Sequence, residues 1–310
     1  MQSNRSGSET LEPETSENFT AGFVFQPTFI PDGWGEFTVT ADYWSVEQDA
    51  VIGLLGDSNA ITLDYLRRMQ GPSGDPNGLG YNPNVIRAAA DPDDVTLFTG
   101  ALDSNGNSLV PTGEILQVID NYRNLGPREI EGYDISFIYE VDDTPLGDWN
   151  VNLNFARLLT FFQAPGPEQQ ELLDAQAAGL IDPFPNVPGA ESIIEENGRP
   201  KWRASSTITW RANQWGAGLF SAYVGGVNDT GAALADGTLW RVKPWLTHNA
   251  YVQYTIEGDD SSLIDDVRVR FGARNIFDEQ PPLADSDTGY IGDLHSPRGR
   301  TVYMSVRTRF

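Results

Sequence analysis

Alternation of apolar and polar side chains is the dominant pattern along this chain, and it recurs in nine separate segments. In the last of them Val302, Met304, Val306 and Phe310 share one face, while Thr301, Ser305, Arg307 and Arg309 share the other. A period of two places successive side chains on opposite sides of an extended strand. The same division sets Val267, Val269, Phe271 and Ala273 against Arg268, Arg270, Gly272 and Arg274. It sets Trp149, Val151, Leu153 and Phe155 against Asn150, Asn152 and Asn154. Trp202, Ala204, Ser206, Ile208 and Trp210 likewise oppose Arg203, Ser205, Thr207, Thr209 and Arg211. The pattern predicts strands over 18–27, 35–51, 117–141, 148–161, 201–212, 215–227, 244–257, 265–277 and 299–310. Helix is expected only in the connections. Pro167, followed by 168–178 and then Gly179, has a proline start and a glycine stop, and 61–69 follows Ser58 or Asn59 as a cap.

The connections carry further information. Those at 27–34, 142–147, 213–214 and 258–264 are short and rich in turn residues, whereas 52–116, 162–200, 228–243 and 278–298 are long, and the two kinds alternate. A membrane barrel requires this, because short periplasmic turns alternate with extracellular loops that are free to grow. Soluble sandwiches and propellers carry no such requirement. The expected fold is all-β, an antiparallel transmembrane up-and-down β-barrel with nine strands in this chain. With short turns on the periplasmic side, the first and last strands both run toward the periplasm. Single-chain bacterial barrels have even strand numbers, so the reading expects a partial barrel with at least one further strand ahead of Met1.

Composition narrows the function classes. No run approaches the ~18 apolar residues of a membrane helix, and barrel strands of about 9–11 residues leave only a weak hydropathy signal; mean hydropathy is −0.36. A net charge of −24 excludes nucleic acid as a partner, since phosphate neutralisation needs a basic surface. It suits cations, or simply solvates long loops. Cysteine is absent, which removes disulfides, thiolate metal sites and cysteine nucleophiles. His248 and His295 are the only imidazoles, without a recognisable Ser and Asp arrangement, so no enzyme activity and no cofactor are expected. Residues 2–8 are polar with no apolar h-region, so an exported protein is expected to carry its signal peptide on an earlier segment.

Several residues are candidates for binding. Arg203, Arg211, Arg268, Arg270, Arg274, Arg307 and Arg309 share the polar phase; a lipid-facing charge at mid-depth would cost about 2–4 kcal/mol, which assigns them to the lumen. There they face an acidic domain or an anionic solute, or line a solvated channel. Tyr81, Phe98, Phe184, Trp240 and Tyr290 lie in the long connections and are placed either to stack on a ligand or to pack the loops. Asp103, Asn105 and Asn107 have the spacing of a calcium loop without its bidentate glutamate, and an Asx-rich turn is the competing account.

Four places resemble the C-terminal barrel portion of TonB-dependent outer-membrane receptors. Leu11-Glu12-Pro13-Glu14-Thr15-Ser16-Glu17-Asn18 resembles that family's start of a barrel strand, although Glu12 stands where the family usually has Lys. Arg274-Asn275-Ile276-Phe277-Asp278 resembles its strand exit, and Pro297-Arg298-Gly299-Arg300 with the terminal aromatic completes the set. Val302, Met304, Val306 and Phe310 resemble the signal read by the barrel-assembly machinery, with Thr308 where an apolar residue is more usual. The resemblance implies a barrel of about 22 strands, of which 18–310 is the C-terminal part and 1–17 a polar lead-in. It also implies a plug domain outside this chain, and a location in the Gram-negative outer membrane. The implied function is TonB-dependent uptake of a scarce nutrient, a carbohydrate, iron chelate or similar. Its partners would be lipid, the assembly machinery, the small-molecule nutrient, and the TonB system through the plug. The alternative is a plugless passive porin or structural barrel.

Overall fold

The computed structural model describes residues 2–31, 33–70, 81–182, 187, 192–196, 198–236, 238–258 and 266–309. The nine alternating segments form one nine-stranded sheet whose order follows the chain. Its strands are β1 (Thr15–Phe25), β2 (Glu36–Asp49), β3 (Arg128–Val141), β4 (Asp148–Gln163) and β5 (Trp202–Ala212), then β6 (Trp215–Val224), β7 (Trp245–Glu257), β8 (Asp266–Arg274) and β9 (Thr301–Arg309). From β4 to β9 each strand runs antiparallel to the next. Phe310 and 259–265 lie outside the described residues.

The short turns follow from local backbone chemistry. The 213–214 turn is closed by the pair Ala212 and Trp215, with Asn213 at φ 50°; left-handed geometry there matches the twist of the flanking strands. In the β3–β4 turn Gly147 has φ 96°, and a Cβ on it would lie 2.2 Å from the carbonyl oxygen of Arg211. Only glycine permits that approach of one backbone to another.

Several predicted strands are shorter than the alternation implied, 265–277 among them ending at Arg274, and in two the chain leaves the sheet to pair elsewhere. The segment 117–141 is divided: Ile115–Ile119 pairs in parallel with Gln2–Asn4 and antiparallel with Val85–Arg87, and the large sheet is joined only from Arg128. The break falls at Asp120, which is fully buried and whose carboxylate accepts the N–H groups of Leu55 and Gly56, each at 3.1 Å. Likewise 215–227 stops at Val224, and Val227–Ala233 folds back on Leu239–Val242 as a separate hairpin.

The chain divides into two compact units. The first comprises Met1–Glu17, Glu47–Glu129 and Phe162–Ser192, so two long connections and the lead-in fold together around a core of their own. That core includes Leu55, Leu63, Leu66, Val85, Val118 and Leu172. Helices α1 (Asp57–Gln70) and α3 (Pro167–Ala177) supply much of it, while α2 (Pro92–Leu97) buries no residue. α1 starts four residues before the predicted 61–69, and its buried Ala60, Leu63 and Leu66 follow the spacing of one helical face. α3 follows the proline start and glycine stop, with Gly179 at φ 69°. α2 was not expected, although Asp91 forms a capping box: its carboxylate accepts the N–H groups of Asp93 and Asp94, and Asp94 accepts the N–H of Asp91.

Within this unit Asp64 is fully buried. It forms ion pairs with Arg68 at 3.1 Å and Arg87 at 2.8 Å, and accepts the N–H of Asn82 at 3.0 Å. α1 and α3 are joined by Arg67 and Glu171 at 2.9 Å, and Arg123 pairs with Glu168. The second unit, Asn18–Val46, Ile130–Phe161 and Ile193–Phe310, holds most of the sheet. It also contains a small cluster of Val227, Val242 and Leu294, with Val224, Ala284 and Ile291 packed against it.

Candidate functional site: the polar face of the sheet

Strand register decides which side chains share a face. Arg203, Thr207 and Arg211 of β5 lie opposite Ala156, Asn152 and Asp148 of β4 and opposite Val224, Phe220 and Gly216 of β6. Gly216 pairs with Gln253, Gln253 with Arg270, and Arg270 with Ser305. Carried across the sheet, these pairs place all seven predicted arginines on one face, together with Asn150, Asn152 and Asn154. The opposite face carries Leu153, Ile208, Leu219, Val252, Val269 and Val306, flanked toward the short turns by the ring pairs Trp149–Trp210 and Trp215–Tyr254.

A row on the polar face alternates glycine and tyrosine across four strands: Gly218 opposite Tyr251, Tyr251 opposite Gly272, and Gly272 opposite Tyr303. A Cβ on Gly218 would meet the Tyr251 ring at 2.3 Å, and one on Gly272 the Tyr303 ring at 2.6 Å. Each ring therefore lies flat across a neighbouring strand and presents a π surface. The Arg270 guanidinium sits 4.1 Å above the Tyr251 ring, with Nε and Nη2 donating to Gln253 Oε1 at 3.1 and 2.7 Å. Arg274 lies 5.9 Å from the Tyr303 ring. The glycines and tyrosines were visible in the sequence, but their mutual cover depends on register.

The other five arginines, Arg203, Arg211, Arg268, Arg307 and Arg309, have no hydrogen-bond or ion-pair partner among the described residues. Arg203 borders a hollow of about 580 Å³ shared with Asp42, Asp134, Asn154 and Ser205. Arg211, Arg268 and Arg270 line another of about 330 Å³, opposite Glu140, Asp142 and Asp148. The face can thus offer unpaired guanidinium donors to oxyanions.

The remaining candidates are dispersed. Tyr81 lies 5.3 Å from the Arg68 guanidinium, Phe98 caps the end of α2, Trp240 donates its indole N–H to Leu283 O at 2.9 Å, Tyr290 O accepts hydroxyls from Ser286 and Thr288, and Phe184 lies outside the described residues. Asp103 makes an Asx turn: it accepts the N–H groups of Asn105 and Asn107 and the Asn107 side-chain amide. The Asn107 N–H foremost holds its carboxyl below the usual range. Among the described residues no group of three or more potential metal ligands is gathered. Val302, Met304 and Val306 are exposed on β9.

The two histidines have different surroundings. His248 Nδ1 lies 2.7 Å from Ser221 Oγ, its cross-strand partner, with the Phe277 ring perpendicular at 5.3 Å. The contact pairs two polar groups within the apolar face. His295 is buried against Trp245, ring centroids 5.5 Å apart, and neither of its ring nitrogens has a partner among the described residues. Burial lowers its pKa from 6.5. The unfolded chain therefore binds a proton more readily than the folded loop cluster. Stability present above about pH 6.5 is lost as pH falls below it. The protection factors of amides around Trp245, with the intrinsic pH dependence of exchange divided out, are expected to fall from pH 7.5 to 5, and the fall to vanish in His295→Phe; a fall that persists in that variant refutes this account.

The family model "TonB dependent receptor-like, beta-barrel" matches residues 1–276. Among solved structures, the siderophore receptor PirA of Acinetobacter baumannii aligns at 15% identity and TM-score 0.51, over 97% of this chain and 32% of the receptor. A ferric enterobactin receptor, PfeA, of Pseudomonas aeruginosa aligns at 15% identity and TM-score 0.50, with the same coverages. The chain thus spans about a third of the length of the structures it matches. No curated protein matches it. With nine meandering strands, one polar and one apolar face, and a family match over most of its length, the chain belongs to the TonB-dependent receptor-like β-barrel family and forms part of such a barrel.

Proposed function

We propose that the chain supplies the C-terminal strands of an outer-membrane receptor that takes up a small nutrient in a TonB-dependent way. The observation that carries this reading is the one-sided placement of seven arginines, with apolar and aromatic side chains on the reverse face. In a barrel the charged face turns to the water-filled interior and the apolar face to lipid, because an outward charge at mid-depth is costly. The five guanidinium groups unpaired among the described residues favour an anionic nutrient complex, or an acidic domain of the same protein seated inside, over a neutral sugar. Tyr81 is engaged within its own connection and Trp240 by the 278–298 connection, which weakens the case for sugar stacking. The exposed Val302, Met304 and Val306 are the surface offered to the assembly machinery and then to lipid.

The absence of cysteine makes the test clean. Single cysteines at Thr207 and Ser305 are expected to react in intact cells with a membrane-impermeant thiol reagent, and those at Ile208 and Leu219 to be protected. Equal labelling of both sets would refute the facing. Uptake that continues after the TonB system is deleted would favour a passive pore instead.

A further inference from the structure

Arg268 of β8 lies directly opposite Arg307 of β9, and Arg270 opposite Ser305. Like charges directly opposite across an antiparallel pair destabilise it. No hydrogen bond or ion pair among the described residues engages either Arg268 or Arg307. Asp266, on the same face, stands opposite Arg309, but the two form no ion pair. Glu140, Asp142 and Asp148 line the adjoining hollow without pairing with Arg268. Arg268, Arg270, Ser305 and Arg307 enclose a concavity of about 310 Å³. That is at the low end of the roughly 300–1,000 Å³ of small-molecule sites, and suits one small anionic group. Arg270 is held in place by Gln253 and the Tyr251 ring, so one wall of the concavity is positioned in advance.

We propose that Arg268 and Arg307, with the Ser305 hydroxyl, form an oxyanion-binding station for a carboxylate or phosphate group. Two planar guanidinium forks converge on one hollow, and each can donate two N–H groups to such an anion. The bound charge would neutralise the cross-strand repulsion, so occupancy and pairing of β8 with β9 reinforce one another. The proposal rests on the reading of this face as the aqueous interior. Its oxyanion comes from one of two sources: a free solute, or an Asp or Glu side chain of a polypeptide segment packed against the face.

The test uses the intact protein in detergent at constant ionic strength, titrated with sodium phosphate against sodium chloride, and follows thermal unfolding and calorimetric binding. For a solute source, phosphate raises the Tm of the unaltered protein, and the apparent Kd rises at least tenfold in the Arg268→Gln/Arg307→Gln double variant. For a side-chain source, phosphate has no effect and the double variant unfolds at a lower temperature. Absence of any phosphate response, together with an equal or higher Tm for the double variant, overturns the station. The thiol-labelling pattern reads the facing of the sheet independently, so failure of the station and failure of the facing are separable.

Discussion

Replacing Asp64 with alanine is expected to destabilise the loop unit by about 3–5 kcal/mol, the range for removing one partner of a buried ion pair. Asp64 is fully buried, while the side chains of Arg68 and Arg87 keep 18% and 19% of their surface accessible. Those guanidinium groups can regain some water, which places the effect toward the lower end. The N–H of Asn82 would also lose its acceptor inside the core, a penalty of about 1–3 kcal/mol that is included in the same range. Asparagine, which keeps an acceptor but not the charge, should cause a smaller loss. Because the unit has its own core, the readout has to be local. Amide exchange in α1 and proteolysis within 47–129 should accelerate by at least tenfold in the alanine variant while exchange in β5 and β6 stays unchanged. Unaltered protection of α1 would show that Asp64 does not hold this unit together.

The second large effect concerns facing. Leu219 lies mid-strand in β6, opposite Ile208 and Ala250 on the apolar face. Leu219→Arg is expected to lower the stability of the membrane-inserted barrel by about 2–4 kcal/mol, the cost of a cation turned to lipid at mid-depth. Thr207→Arg, on the polar face of the neighbouring strand, adds the same charge where Arg203 and Arg211 already stand and should change stability by less than about 1 kcal/mol. Heat-modifiability of the folded protein on gels, with the amount recovered from the outer membrane, compares the two variants. Equal loss in both would mean that the arginine face is not the aqueous one.

Much of this is legible in the sequence. Strand positions and facing are local properties, since a period of two is written residue by residue. The alternation around Arg203, Arg211, Arg268 and Arg270 therefore sets these side chains on one face of their strands. Alternating short and long connections gave the meander, and Pro167 with Gly179 gave α3. The missed capping box at Asp91 was also local, and its Asp-Pro-Asp-Asp sequence was signal enough.

What the sequence determined by itself, then, is a nine-stranded, two-faced sheet with seven arginines sharing one side, because alternation needs no knowledge of neighbours. Tertiary structure alone decided the rest. The folding of 47–129 back on itself brings Asp64 to Arg87 and Asp120 to Leu55, and such buried acids look like loop solvation in one dimension. The cover of Gly218 by Tyr251 and the opposition of Arg268 to Arg307 depend on which residue of one strand meets which residue of the next. Register is set by turns and packing between strands, so no single segment encodes it.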